Sequence, residues 1–161
     1  SRPCVAGTQW DWEGVGFALL HPPAGAELRG NDASCVLRVA NAAGSVLLTG
    51  DIEAAVERRL AAAGALQPTS VVVAPHHGSA SSSTPALIAA TAPEHVIYTA
   101  GFFNRFGFPV AAVQARWRAA GARALDTAEV GAITLHFDAA GRPVEVRAER
   151  QAHRRYWHRN P

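Results

Sequence analysis

A chain of 161 residues, 48% of them apolar and 17% charged, has the size and composition of one packed domain and excludes intrinsic disorder. No apolar run reaches the roughly 20 residues needed to cross a bilayer, and SRPCVAGTQW has no leader pattern and reads as a cut made inside a longer protein. The formal charge is only +2, yet it rests on 15 arginines and no lysine.

GVGFALLHP (14–22) reads as a strand stopped by prolines, and SCVLRVA (34–40) as a second, alternating strand. NAAG turns the chain into SVLLTG (45–50), the returning arm of a hairpin. DIEAAVERRLAAAG (51–64) has helical spacing: Ile52, Val56 and Leu60 share a face, Asp51 stands at the N-cap and Gly64 at C′. TSVVVAP is a short apolar strand of the kind buried on both faces. The serine tract then leads to a helix started by Thr84-Pro85. HVIYTAG (95–101) is another buried strand, and FPVAAVQARWRAAG (108–121) a Pro-started, Gly-ended helix. RALDT, AITLHF (132–137) and VEVRA (144–148) close the chain with strands. Hairpins at both ends with helical crossovers between them predict a layered α/β domain around a mixed sheet, helices outside. The expected division is a domain over 1–150 and an arginine-rich tail over 151–161.

Two strand ends carry chemistry. SVLLTGD presents Asp51 directly after one strand, and VVVAPHHG presents His76 and His77 directly after another. Carboxylate and imidazole are ligands common to zinc, manganese and iron, and metal binding at such a loop lowers the pKa of bound water toward ~7. Asp51 also reads as a simple helix cap, and one carboxylate can do both. Adjacent histidines do not generally face one ion together, so His76 and His77 divide into one ligand and one supporting residue. The serines after them read as capping residues, since nothing resembles a nucleophile elbow. Cys4 and Cys35 are either buried thiols or one disulfide. Six arginines fall within the last twenty residues, including Arg154 and Arg155, beside Tyr156 and Trp157. That segment reads either as a solvated tail or as a contact for phosphates and bases.

In register, LLTGDIE, VVVAPHHGSASSS, NRFGFP and DTAEVGAITL, with WDWEGVGFALLHP and NDASCVLRV upstream, resemble the C-terminal metallo-β-lactamase-like domain of ComEC proteins. Those are polytopic channel proteins of bacterial DNA uptake. The resemblance implies an αββα sandwich, of which this chain would be the C-terminal half. It also implies a metal-dependent nuclease degrading the strand that is not transported, in a soluble domain on the periplasmic side of an inner-membrane protein. Asp51 and His77 would hold Mn or Zn. His76 would orient a ligand or protonate the leaving oxygen, and Asn104, Arg105, Arg154 and Arg155 would contact DNA. In that compartment a Cys4–Cys35 bridge is expected.

Two features depart from the family pattern. No H-x-x-x-D-H motif occurs in the chain, and Phe108 stands in NRFGFP where many relatives have histidine. Asn31 aligns where lactamase relatives carry a further histidine. The expectation is therefore weak or absent metal binding by this chain alone, with the rest of the channel protein or a second copy covering the truncated face. The competing reading is a catalytically silent DNA-binding or scaffolding module.

Overall fold

The computed structural model describes residues 3–137 and 143–153. Strands β1 (Gln9–Trp12), β2 (Val15–His21), β3 (Val36–Asn41) and β4 (Gly44–Leu48) form an antiparallel meander. Two-residue connections enforce the outer two of these pairings: Glu13-Gly14 joins β1 to β2, and between β3 and β4 the Asn41 Oδ1 accepts from the backbone N–H groups of Ala43 and Gly44.

From β4 onward a helix separates each strand from the next. Helix α1 (Ala54–Ala62) leads to β5 (Val71–Val73), α2 (Pro85–Thr91) to β6 (His95–Tyr98) and α3 (Ala111–Ala119) to β7 (Arg123–Asp126). Such crossovers return the chain in the same direction, and β4 to β7 pair in parallel. The seven strands lie in sequence order, β1 to β7. Helix α4 (Thr127–Val130) then leads to a separate hairpin, β8 (Ile133–Phe137) with β9 (Pro143–Ala148), followed by α5 (Glu149–Ala152). This is the α/β class with a mixed sheet flanked by helices, compatible with part of a metallo-β-lactamase-like fold.

Alternation along the strands sets the core. Val36, Leu47, Val72, Val96 and Tyr98 share one buried cluster with Val56 and Leu60 of α1, Leu87 and Ile88 of α2, and Val113 and Trp117 of α3. The next residue along β4, Leu48, points to the other side of the sheet and is 40% exposed. One face of the sheet is thus sealed by helices while the other is only partly covered.

Three boundaries differ from the sequence reading. β1 is an additional strand, an exposed QWDW whose alternation of polar residues with Trp runs for only four residues. Helix α1 starts at Ala54 with Glu53 at the N-cap, not Asp51. Helix α3 starts at Ala111 and not at Pro109: Val110 is the extended N-cap residue, and its N–H goes to the carbonyl of Gly78. The C-terminal signals of both helices hold: Ala65 and Ala122 donate back to Leu60 and Trp117 around left-handed Gly64 and Gly121. Helix α5 crosses the expected boundary at residue 150, where Arg150 donates to the carbonyls of Ala128 and Glu129. Cys4 and Cys35 form a disulfide with Cα atoms 6.0 Å apart, tying the N-terminal segment to the start of β3.

Candidate metal and nucleic-acid site

The parallel strands β4, β5 and β6 end at one edge of the sheet, and the candidate residues leave from those ends. This is where open α/β sheets usually bind ligands. Past the ends of β4 and β5, Thr49 Oγ1 donates to the carbonyl of Val73 at 2.7 Å, and the N–H of His76 donates to that of Gly50 at 3.0 Å. These two bonds fix the Asp51 loop against the histidine turn. Gly50 is required here: its φ is +56°, and a Cβ would lie 2.7 Å from that of Ser34.

The histidine turn is strained. His76 (φ 49°) and His77 (φ 55°) are both left-handed, followed by Gly78 at φ 84°. Left-handed backbone costs an L-residue on the order of 1–2 kcal/mol. Two such residues in succession are held only because their surroundings over-determine them, and strain of this kind gathers at functional sites. At Gly78 a Cβ would come within 2.7 Å of Pro109, so the turn closes tightly on the loop that follows β6.

This backbone aims the imidazoles differently. His77 places Nε2 3.5 Å from Asp51 Oδ1, while its Nδ1 lies 3.0 Å from Thr99 Oγ1. His76 places Nδ1 3.3 Å from Glu53 Oε1, and its ring meets Phe108 edge-on at 5.6 Å. Asn31 Nδ2 donates to Glu53 Oε1 at 3.2 Å and lies 3.5 Å from the His76 ring nitrogens. The Asn31 amide, then the Ser81 hydroxyl, hold the Glu53 carboxyl below its ordinary range, and His76 adds to this.

Asp51 is free to face His77 because other groups have taken over the helix end. The first helical N–H, of Ala54, goes to the carbonyl of Ser81, and Asp32 Oδ1 accepts from the N–H of Glu53. Ser34 Oγ accepts from the N–H of Asp51 itself. The 3-10 turn Gly30–Ala33, which carries Asp32 and leads into Ser34, is pinned from behind by buried His21, whose Nε2 lies 2.8 Å from the carbonyl of Asp32.

The serine tract is structural. Glu57 is fully buried and accepts from the N–H groups of Ser83 and Thr84 at 2.6 Å each. Ser82 Oγ donates to the carbonyl of Pro75, and Thr84 caps α2. Tyr98 underlies Gly78, and burial pushes its phenol up to about 12, so it stays protonated near neutrality.

The loop after β6 carries the NRFGFP motif. Asn104 spends its amide inside that loop, donating to the carbonyls of Gly101 and Phe108 and accepting from the N–H of Phe108. It braces the loop. Arg105 lies with Cζ 4.8 Å over the ring of Phe106. Arg154 and Arg155 lie outside the described residues.

A metal at the Asp51–His77 pair can be tested on geometry. Donors ~2.1 Å from a tetrahedral ion stand about 3.4 Å apart, and this pair stands 3.5 Å apart, long for a hydrogen bond. The bite fits, but the shell does not close. Among the described residues no three His, Cys, Asp or Glu side chains gather around one point, whereas catalytic zinc takes three protein ligands. Asp51 and His77 thus offer two donors, fewer than such a shell takes.

No protein-family model matches the chain. Three proteins do match it in sequence. It is 34% identical over 163 residues to Competence protein ComA of Neisseria gonorrhoeae, covering 100% of this chain. The chain is a ComEC-like domain. It is also 35% identical over 141 residues to the uncharacterized protein YcaI of Escherichia coli, 87% of this chain, and 34% identical over 134 residues to Recombination protein 2 of Haemophilus influenzae, 83% of it. The ComEC-like domain spans 23%, 19% and 17% of those three proteins, respectively. Among its described residues no helix is long and apolar enough to cross a membrane.

The sequence reading missed several members of this ComEC-like site: Glu53, Thr99, Asp32, Ser34 and His21. Asn31-Asp32 was the available signal, since such residues organise tight turns. Nothing local told that the turn would dock on the Asp51 loop.

Proposed function

We propose that this domain handles DNA for a membrane uptake protein of the bacterial inner membrane, facing the periplasm. In this reading Asp51 and His77 supply two donors of a divalent-metal site for phosphodiester hydrolysis of the strand that is not taken up. The Asp51–His77 separation of 3.5 Å is the observation that carries it. The remaining donors come from outside the described residues. When bound, such a metal supplies hydroxide from water near neutral pH. The domain's own part is to fix the two donors on clipped strand ends and to hold a proton at His76, beside Glu53. The Cys4–Cys35 disulfide supports an oxidising compartment, and the names of the competence and recombination relatives support DNA.

A specific observation favours a second reading, the catalytically silent DNA-binding module. The ring packed against His76 is Phe108, at the position where the family resemblance implies a histidine.

Calorimetric titration with Mn²⁺ or Zn²⁺ separates the two. Two donors predict a Kd weaker than micromolar, lost in Asp51→Ala and in His77→Ala. Sub-micromolar affinity would contradict an incomplete shell, and no binding at millimolar metal would favour the silent module. In the full-length protein the first reading predicts Mn²⁺-dependent degradation of DNA that both substitutions abolish.

A further inference from the structure

The loop between β6 and α3 exposes more aromatic surface than a loop needs. Phe102 is 55% exposed and Phe106 62%, both within eight residues of Gly101. Exposed rings cost solubility and, when contiguous, mark an interaction site. Here they are contiguous with the histidine turn. Phe106 lies near-parallel to Phe108 (centroids 5.6 Å, planes 17° apart), and Phe108 meets His76 edge-on at 5.6 Å. Arg105 covers one side of Phe106, and Arg150 lies with Cζ 5.6 Å from the Phe102 ring. The row Arg105–Phe106–Phe108–His76 thus runs from solvent to the edge where Asp51 and His77 face each other.

We propose that this row is a base-stacking platform for single-stranded nucleic acid, an inference that rests on the DNA-handling reading and names the form of DNA it takes. Three features support that occupant. Solvent-exposed aromatic rings suit unpaired bases, each of which has a π-face, whereas bases in a duplex are already stacked on one another. The charge is complementary: residues 101–110 contain no Asp or Glu, and both arginines beside the rings can meet phosphates. The platform is also rigid without its ligand, because Asn104 ties Gly101 and Phe108 together and Val110 is bonded to Gly78. A strand stacked on Phe106 would bring its next phosphates toward His76 and His77 without sequence preference.

Fluorescence anisotropy in EDTA tests this without involving metal. The probes are a labelled 12-nucleotide oligothymidylate and a labelled hairpin duplex, with vesicles of phosphatidylcholine and phosphatidylglycerol as a third arm. The single strand should bind more tightly than the hairpin. Phe106→Ala should weaken single-strand binding about 5- to 100-fold, the range of one lost base stack, with its salt dependence unchanged. Phe106→Trp should retain binding. Arg105→Ala should lower the salt slope by up to about 0.7, one single-strand phosphate. Single-strand binding unaffected by Phe106→Ala, or equal binding of the hairpin, would overturn the platform while leaving DNA handling intact. Binding to vesicles with none to either oligonucleotide would overturn both.

Discussion

The histidine turn makes a prediction whose sign is the reverse of the usual one. Replace His77 by Ala and, separately, by Gly. Both changes remove the imidazole and its neighbours Asp51 and Thr99, so the two variants differ only by a Cβ at φ 55°. That Cβ costs about 1–2 kcal/mol in left-handed backbone. Glycine loses roughly 0.5–1 kcal/mol more backbone entropy on folding than alanine. The balance leaves His77→Gly more stable than His77→Ala by about 0.5–1 kcal/mol, and the same holds at His76, φ 49°. The double glycine variant should then exceed the double alanine variant by about 1–2 kcal/mol. In urea, with m about 2 kcal/mol/M, this is a midpoint difference of roughly 0.5–1 M at unchanged slope. At an ordinary position alanine would be ahead. If the alanine variants match or exceed the glycine variants at both positions, the turn is not held left-handed and the aim of both imidazoles, with the metal bite built on it, is wrong.

Glu57→Ala removes the partner of two buried N–H groups and should cost about 3 kcal/mol or more in urea unfolding; a loss below ~1 kcal/mol would mean that the serine tract holds its shape alone. The depressed Glu53 carboxyl contributes stability that is fully present above its ordinary value of 4.5 and lost as pH falls through the lower folded value. Asn31→Ala should move the Glu53 carboxyl titration, followed by carbon-13 NMR, upward toward 4.5; an unmoved titration refutes the Asn31 contact as its main cause. Reducing Cys4–Cys35, which spans a sequence separation of 31, should destabilise the fold by about 3–4 kcal/mol on the loop-entropy estimate. A Cys4→Ser, Cys35→Ser variant as stable as the oxidised protein would remove that constraint from the account.

Periodic elements were legible. Strands β2 to β7 of the mixed sheet, α2 with its Thr84-Pro85 start, and the Gly64 and Gly121 ends follow from local chemistry acting within a few residues. So did the candidate pair, since Gly-Asp and Pro-His-His sit at the ends of apolar strands and parallel pairing brings such ends to one edge. What could not be read is what distant segments do for each other. Asp51 reads as a helix cap in isolation; only the arrival of Asp32 and Ser81 at the start of α1 displaces it from that role. Asn104 reads as a DNA contact from its place in NRFGFP, and its use as a brace depends on the loop returning the Phe108 backbone to its side chain, which composition does not announce.

These cases share a cause, and it bears on function. The segments 30–34, 50–53 and 75–84 meet at one sheet edge, where each satisfies the others' backbone groups: Ser34 receives Asp51, Asp32 receives Glu53, Ser81 receives Ala54 and Gly50 receives His76. With those groups satisfied, the side chains of Asp51, Glu53, His76 and His77 are left to face one another. The loop after β6 joins the same edge through the Gly78 carbonyl, bringing Phe108 against His76. Residues suited to a cation and residues suited to an unpaired base therefore lie side by side on backbone locked by the same hydrogen bonds. A domain that must hold a phosphate near a metal while gripping the adjoining base needs that adjacency, and a domain serving only as a spacer gains nothing from keeping two histidines in strained backbone.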